Sequence, residues 1–222
     1  MSLLEELRQK AEIITGEHKK DLERLVRNAE QVDAALRRAF SFFLEAASYL
    51  NVITPENKRT YVVAGLGNLE GMRASGFFVD YRTTSIIDKP RLDHFYVRYK
   101  SSADRILEKQ FDFIDAERVI RSLAQSHLEF EQGDLLNEKG KISRRSFRIP
   151  HLVRSELTFK GDYPGGFIRV ASSNVEDFRR EEFIHKAEDL DVSLLEDYVK
   201  LILGEANRVR QRGAHPTENG PS

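Results

Sequence analysis

Apolar residues between Glu17 and Leu50 recur at intervals of three and four: Leu22, Leu25, Ala29, Val32, Leu36, Ala39, Phe43, Ala46 and Leu50. That spacing lines one face of an α-helix and predicts a single long helix with a heptad stripe. A shorter amphipathic stretch precedes it, with Leu4, Leu7, Ala11 and Ile14 on one face. Gly16 interrupts the pattern where a helix can end on a left-handed residue, which leaves a kink and a hairpin both open. Pro55 then closes the helical region.

The middle of the chain changes period. Gly76–Asp88 and Arg91–Ser101 alternate apolar and polar residues around a turn at Asp88–Arg91, the pattern of an antiparallel hairpin. Helical spacing returns over Phe111–Phe130, with Asp115 as the expected N-cap and Val119, Ile120, Leu123, Ala124 and Leu128 as the buried face. Residues 131–141 read as a loop, and three short strands follow, at about 142–149, 152–160 and 166–172. The last two are joined by Gly161–Gly166, a turn supplied with aspartate, proline and glycine. A final helix is expected from Ser193, capped by Ser193 and Glu196 and burying Leu195, Tyr198, Val199, Ile202 and Ala206.

These elements predict an α+β fold: an antiparallel sheet of about six strands with a long N-terminal helix, a central helix and a C-terminal helix. The expected divisions are a helical segment at 1–54, an α+β domain packed with it at 55–211, and a disordered tail at 212–222. Shifting the chain by 71 residues lays Lys89–Ser102 over Lys160–Ser173, with Lys89 on Lys160, Arg98 on Arg169 and the Ser-Ser pairs aligned. The agreement suggests an internal strand-strand-helix duplication.

Several chemistries are argued against by residue type. The chain has no cysteine, which removes thiolate nucleophiles, disulfides and sulfur-ligated zinc. Its six histidines are scattered, and the single Glu-x-x-His, Glu182 to His185, lacks the second copy a di-iron bundle uses. The three glycines in Tyr61–Met72 follow an apolar run, as in dinucleotide-binding loops. Such a loop must open a helix whose amides face the phosphates; here an aromatic strand begins at Gly76 instead. The stretch is therefore read as a glycine-rich connection between strands. No serine stands in a nucleophile-elbow motif. Glu181-Glu182 and Glu188-Asp189, set among Arg179, Arg180 and Lys186, read as the face of a solvated helix rather than a catalytic dyad. No catalytic residue, metal ligand or cofactor is assigned, and a non-enzymatic protein is favoured.

Composition adds the setting. Charged residues make up 32% of the chain, the net charge is −1, and acidic residues appear by Glu5, so neither a signal peptide nor a membrane span is expected. A cytoplasmic protein is predicted. The near-neutral charge argues against nucleic acid as a partner through global steering, yet the charge is unevenly distributed. Between Lys139 and Lys160 seven basic residues stand against one acidic residue, and between Glu176 and Asp197 nine acidic stand against three basic.

Three functional readings follow. The first is an interaction protein that forms a homodimer, or docks another protein, through Leu22, Leu25, Val32, Leu36, Phe43 and Leu50. Its basis is length: the predicted helix of about 50 Å overshoots a body about 40 Å across. The second is a sheet that binds a small anionic ligand through Arg98 and Arg169, with Tyr96 and Phe167 beside them. The third is phosphate or nucleic-acid binding by the basic strands at 139–160, through Arg144, Arg145, Arg148 and Arg154. Against it stands the simpler placement of those arginines on a solvated sheet face, neutralised by the acidic C-terminal region.

Overall fold

The computed structural model describes residues 3–63, 65–126 and 128–214. Helix α1 runs from Leu3 to Ile53 without a break. Short strands β1 (Glu56–Asn57), β2 (Tyr61–Val63) and β3 (Gly67–Leu69) lead into β4 (Met72–Ile86) and β5 (Lys89–Asp112). Helix α2 (Phe113–Ser126) precedes β6 (Glu131–Leu136) and β7 (Ile142–Asp162). Then come β8 (Phe167–Ser173), β9 (Arg180–Lys186), a 3-10 turn (Ala187–Asp189), α3 (Val192–Leu203) and α4 (Val209–Arg212). The main sheet is antiparallel in the order β1-β4-β5-β7-β8-β9, with β6 pairing β7, while β2 and β3 form a separate pair. The α+β architecture expected from the sequence is the one observed.

Strand β7 organises the sheet. Its odd positions from Phe147 to Phe159 are all buried and its even positions from Arg144 to Asp162 are not, over the full pleat. The buried side serves two cores. In one, α1 and α3 cover Phe95, Val97, Leu157, Phe159 and Val170. In the other, α2 and the β2–β3 pair cover Phe147, Ile149 and Val153. The cores divide where β5 bulges between Ser102 and Ile106, opposite Leu152 and Pro150. Between them lies a polar joint: Asn57 Nδ2 donates to Ser101 Oγ at 2.7 Å, and the Tyr61 hydroxyl meets the carbonyl oxygens of Asn174 and Val175 at 3.0 and 2.9 Å. Burial pushes the Tyr61 and Tyr99 hydroxyls above their ordinary range.

Helix α1 is pinned along its second half. Asn51 brackets Phe77 at the β4 bulge, accepting from its N–H at 2.7 Å and donating to its carbonyl at 2.9 Å. Asp33 accepts from the Leu92 N–H at 2.8 Å. Aromatic rings fill the space beneath, with Phe95 and Phe159 stacked at 4.6 Å and Phe43 at 5.2 Å from Phe159. Gly161 lets the helix approach: a Cβ there would lie 2.9 Å from Val32 and Tyr163 and 3.1 Å from Leu36.

Several local expectations are corrected. Gly16 does not end the helix; nothing lies within 4 Å of a Cβ built on it, and α1 continues through it. A mid-helix glycine costs about 1 kcal/mol, too little to break a helix already nucleated on the sheet. Residues 142–149 and 152–160 form one strand, because Pro150 sits where β7 has no neighbour on one side, between the ends of β6 and β8. Part of the expected loop at 131–141 is β6, a hairpin with β7. The expected helix around Glu181-Glu182 is β9. Asp112, not Asp115, caps α2, accepting from the Asp115 N–H at 3.0 Å. Asp191, not Ser193, caps α3, which ends at Gly204 before Ala206. Regarding the duplication, β5 continues past Ser102 to Asp112, whereas β8 ends at Ser173 and β9 intervenes before α3. The expected tail lies, from His215 onward, outside the described residues.

Two expectations test this packing. Gly161→Val should lower unfolding stability by about 1 to 3 kcal/mol through overpacking against α1; an unchanged urea midpoint would contradict the close approach. The second concerns His185, which is buried between β9 and α3, where Tyr198 Oη lies 2.7 Å from Nε2 and the Arg212 carbonyl 3.3 Å from Nδ1. Since the carbonyl only accepts, Nδ1 carries the proton and Nε2 accepts from Tyr198. Burial is the main cause that holds this imidazole below its ordinary 6.5, with smaller opposing effects from Asp189 and Arg212. The unfolded chain therefore takes up the proton first, so stability is full above the ordinary histidine range and falls as pH drops through it. Denaturant midpoints from pH 7.5 to 5.5 should show that fall, and a shallower one in His185→Gln. Equal slopes in both proteins would refute it.

Candidate functional site

Two exposed surfaces stand out. The first is the free half of α1. From Leu3 to Arg24 every side chain is exposed, and the first buried residue is Ala29. This arm projects about 33 Å at 1.5 Å per residue. Its apolar stripe, Leu4, Leu7, Ala11, Ile14, Leu22 and Leu25, continues the phase of the buried stripe beyond it, with His18 in the remaining position. Leu4 is 79% and Leu22 is 54% exposed. Ion pairs Arg8–Glu12 and Arg24–Asp21, and a bond from Thr15 Oγ1 to the Ala11 carbonyl, run along the helix itself.

The residues singled out on this helix divide between arm and body. Val32, Leu36 and Phe43 are fully buried in the core of their own chain, and Leu50 packs against it. Leu25 is half-buried where the arm leaves the sheet, and Leu22 is exposed. The stripe open to another chain therefore lies N-terminal to Ala29.

The second surface is the face of the sheet opposite α1 and α3. Cross-strand partners share a face, so the register assigns its members. On β5 it carries Tyr96, Arg98 and Lys100, paired with Thr158, Glu156 and Arg154 of β7. Lys160 of β7 pairs Arg169 of β8. Arg180 and Lys186 of β9 pair Ser173 and Phe167. Where these four strands pair, the face carries nine cations, Arg144 and Arg148 of β7 included, against five carboxylates, Glu108, Asp112, Glu156, Asp162 and Glu182. At one end a cavity of about 370 Å³ opens, lined by Gly76, Arg98, Lys100, Arg154, Glu156 and Ser173 among others.

Beside the cavity, Phe78 lies directly across from Arg98 and is 56% exposed. Its ring is 6.3 Å from that of Tyr96, whose face carries the Arg98 guanidinium at 4.1 Å. Arg98 Nε donates to Glu156 at 2.5 Å, and Tyr96 Oη donates to Asp80 at 3.0 Å. Arg154 pairs with Glu129. Hydrogen bonds from the Tyr81 N–H, from Tyr96 and from Arg82 hold the Asp80 carboxyl below its usual range.

Arg98 and Arg169 share this face but not one site. They are separated by four residues along β7 and two strand spacings, about 16 Å. Arg169 instead pairs with Asp162 at 3.1 Å, and Phe167 lies at the far end beside Gly165 and Gly166. Of the basic strand residues, Arg144, Arg148 and Arg154 occupy even positions of β7 on the open face, while Arg145 points to the covered side. Arg148 meets Glu108 and Glu131, and Arg145 meets Asp134 and Glu117, so their partners come from neighbouring strands and α2. Phe78 escaped sequence reasoning. Its exposure depends on the β4 bulge between Ser75 and Phe78, which shifts the register so that Phe78, and not Phe77, falls on the open face.

The glycine stretch Tyr61–Met72 forms the β2–β3 pair and its link to β4, with no helix following. Among the described residues no group of three or more histidine or carboxylate side chains is placed to hold a metal ion, and no helix is long and apolar enough to cross a membrane. No family model, curated protein or solved structure matches the chain.

The division of α1 has a direct consequence for mutants. Leu36→Asp places a carboxylate in a fully buried site and should cost more than about 3 kcal/mol or prevent folding. Leu22→Asp, on the exposed arm, should leave the body's denaturation midpoint within about 0.5 kcal/mol of wild type. Comparable losses in the two variants would mean that the arm packs on the body.

Proposed function

We propose that this chain is a non-enzymatic interaction protein that pairs with a second copy of itself through the N-terminal arm. The observation that carries the reading is the exposure of an apolar stripe from Leu4 to Leu22, interrupted only at His18, on a helix whose remaining half is held in the core. A lone amphipathic projection of this kind leaves large side chains in water, and such surfaces mark interaction sites.

The stripe's spacing favours an antiparallel partner. From one end it reads Leu4, Leu7, Ala11, and from the other Leu25, Leu22, His18, at nearly the same intervals, with Ile14 at the centre. Two arms related by a two-fold axis near Ile14 would set leucine against leucine at both ends, as an isologous contact requires. Lys10, Glu17 and Asp21 share one flank of the stripe. In the antiparallel pair that flank meets its own copy, with Lys10 against Glu17 and Asp21. On the other flank the Arg8–Glu12 ion pair faces Lys19. The overlap ends where Ala29 enters the body, so the two sheets sit at opposite ends of the paired helices and do not collide.

Leu4, Leu7, Ile14, Leu22 and Leu25 from both copies contribute about 1.5 to 3 kcal/mol each when fully buried. That gross gain exceeds the roughly 4 to 15 kcal/mol lost on association. A cytoplasmic setting belongs to the same proposal.

Light scattering should give twice 25.6 kDa for the wild-type chain. The Leu7→Asp, Leu22→Asp double variant should be a folded monomer with unchanged body stability. Because the chain has no cysteine, direction can be read by disulfide trapping. A mixture of Leu7→Cys and Leu22→Cys chains should form the mixed cross-link, and Leu7→Cys alone should not. A wild-type monomer at all accessible concentrations defeats the proposal, and efficient self-linking of Leu7→Cys defeats the antiparallel arrangement.

A further inference from the structure

We infer that the open face of the sheet binds single-stranded nucleic acid, with a phosphate held in the cavity between Arg98, Lys100 and Arg154 and a base stacked on Phe78. The inference is independent of arm pairing. It rests on three observations that coincide in one place.

The first is charge. The chain as a whole is nearly neutral, but the face built by β5, β7, β8 and β9 carries nine cations against five carboxylates. No helix packs over it among the described residues: α1 and α3 bury their apolar sides in the core on the other face. A cation-rich open surface is complementary to a polyanion.

The second is the cavity. Three cations line a concave space of about 370 Å³, where Arg98 pairs with Glu156 and Arg154 with Glu129. Gly76, in the β4 bulge, lines the same cavity without a side chain to fill it.

The third is the aromatic neighbour. Phe78 stands across the strand pair from Arg98, about 5 Å away at the backbone. That separation suits a nucleotide, whose base and phosphate lie a comparable distance apart. An exposed aromatic ring adds affinity for any base, since every base has a stacking face. A purely acidic peptide would gain nothing from it.

The extent of the face selects a polymer over a single nucleotide. Along β7, cations on the open side occur at Arg148, Arg154 and Lys160, six residues apart and so about 20 Å. A mononucleotide reaches only one of them, whereas a strand of several nucleotides crosses all three.

Fluorescence anisotropy of the intact protein with labelled U12 and dT12 at 50 mM salt tests the inference. Binding is expected at 50 mM, weakened about tenfold or more at 200 mM as released counterions oppose it. Lys100→Glu with Arg154→Glu should weaken binding more than about tenfold, and Phe78→Ala about fivefold or more. The milder Lys100→Gln, Arg154→Gln pair gives the same direction should the charge reversals perturb folding. Arg118→Glu, on exposed α2, should leave binding unchanged. The inference fails if neither oligomer binds at 50 mM, if Arg118→Glu loses as much as the cavity variants, or if the cavity and Phe78 variants bind like wild type. It fails equally if a 12-base-pair duplex or uridine monophosphate binds as tightly as the single strand.

Discussion

The unbroken alternation of β7 is the constraint on which the rest of the molecule depends. From Phe147 to Phe159 every odd position of β7 is buried and every even one is not, so a slip of one residue would expose Phe147, Ile149, Leu157 and Phe159 together. That penalty fixes β5 and β8 against β7, and through them β4 and β9. It also makes a single strand serve two cores, because β5 bulges at Ser102–Ile106 and bends the sheet while β7 keeps its pleat. Everything inward of β7 is packing, and everything outward is surface.

The class of fold was legible because its signals are local. The stripe from Ala29 to Phe43 is the helix face that the sheet buries, and the β4–β5 hairpin follows the alternation, although its turn is Ile87–Asp88 and not the expected Asp88–Arg91. Errors arose where tertiary context overrides a local signal. Pro150 looks like a strand break until it is placed beside a gap in the pairing. The acidic β9 looks like a solvated helix because its outer face is charged, and only Phe183 and His185 are buried. Gly16 looks like a helix stop, yet a helix seeded on the sheet propagates through one unfavourable residue.

The surfaces were less legible than the fold. Sequence periodicity gave one stripe from Leu22 to Leu50, but it carries no information on where the chain's own sheet stops covering it. Only the packing shows that Val32, Leu36 and Phe43 are spent within the chain while Leu4 to Leu22 are not. On the sheet, spacing put Arg98 and Arg169 on one face, yet the strand offset between them, set by pairing across β7, could not be read from either strand alone. Phe78 carried no signal because a bulge, not a motif, exposes it.

Net charge is a poor guide to such a molecule. Folding sorts residues that the sequence interleaves: Arg144 and Arg145 are neighbours in the chain but lie on opposite faces of β7. The acidic run from Glu176 to Asp197 is likewise divided. Glu182 stays on the open face beside Arg169, while Glu176 and Glu181 pair with Arg210, and Asp197 is buried against Lys200 and Arg208. Carboxylates drawn toward the C-terminal elements are removed from the sheet surface, and the cations of β5, β7 and β9 that remain there meet fewer opposing charges. A chain with a net charge of −1 can therefore present a basic face without any change in composition, because the field at a surface is set by the charges within about one Debye length of it and not by the sum over the chain.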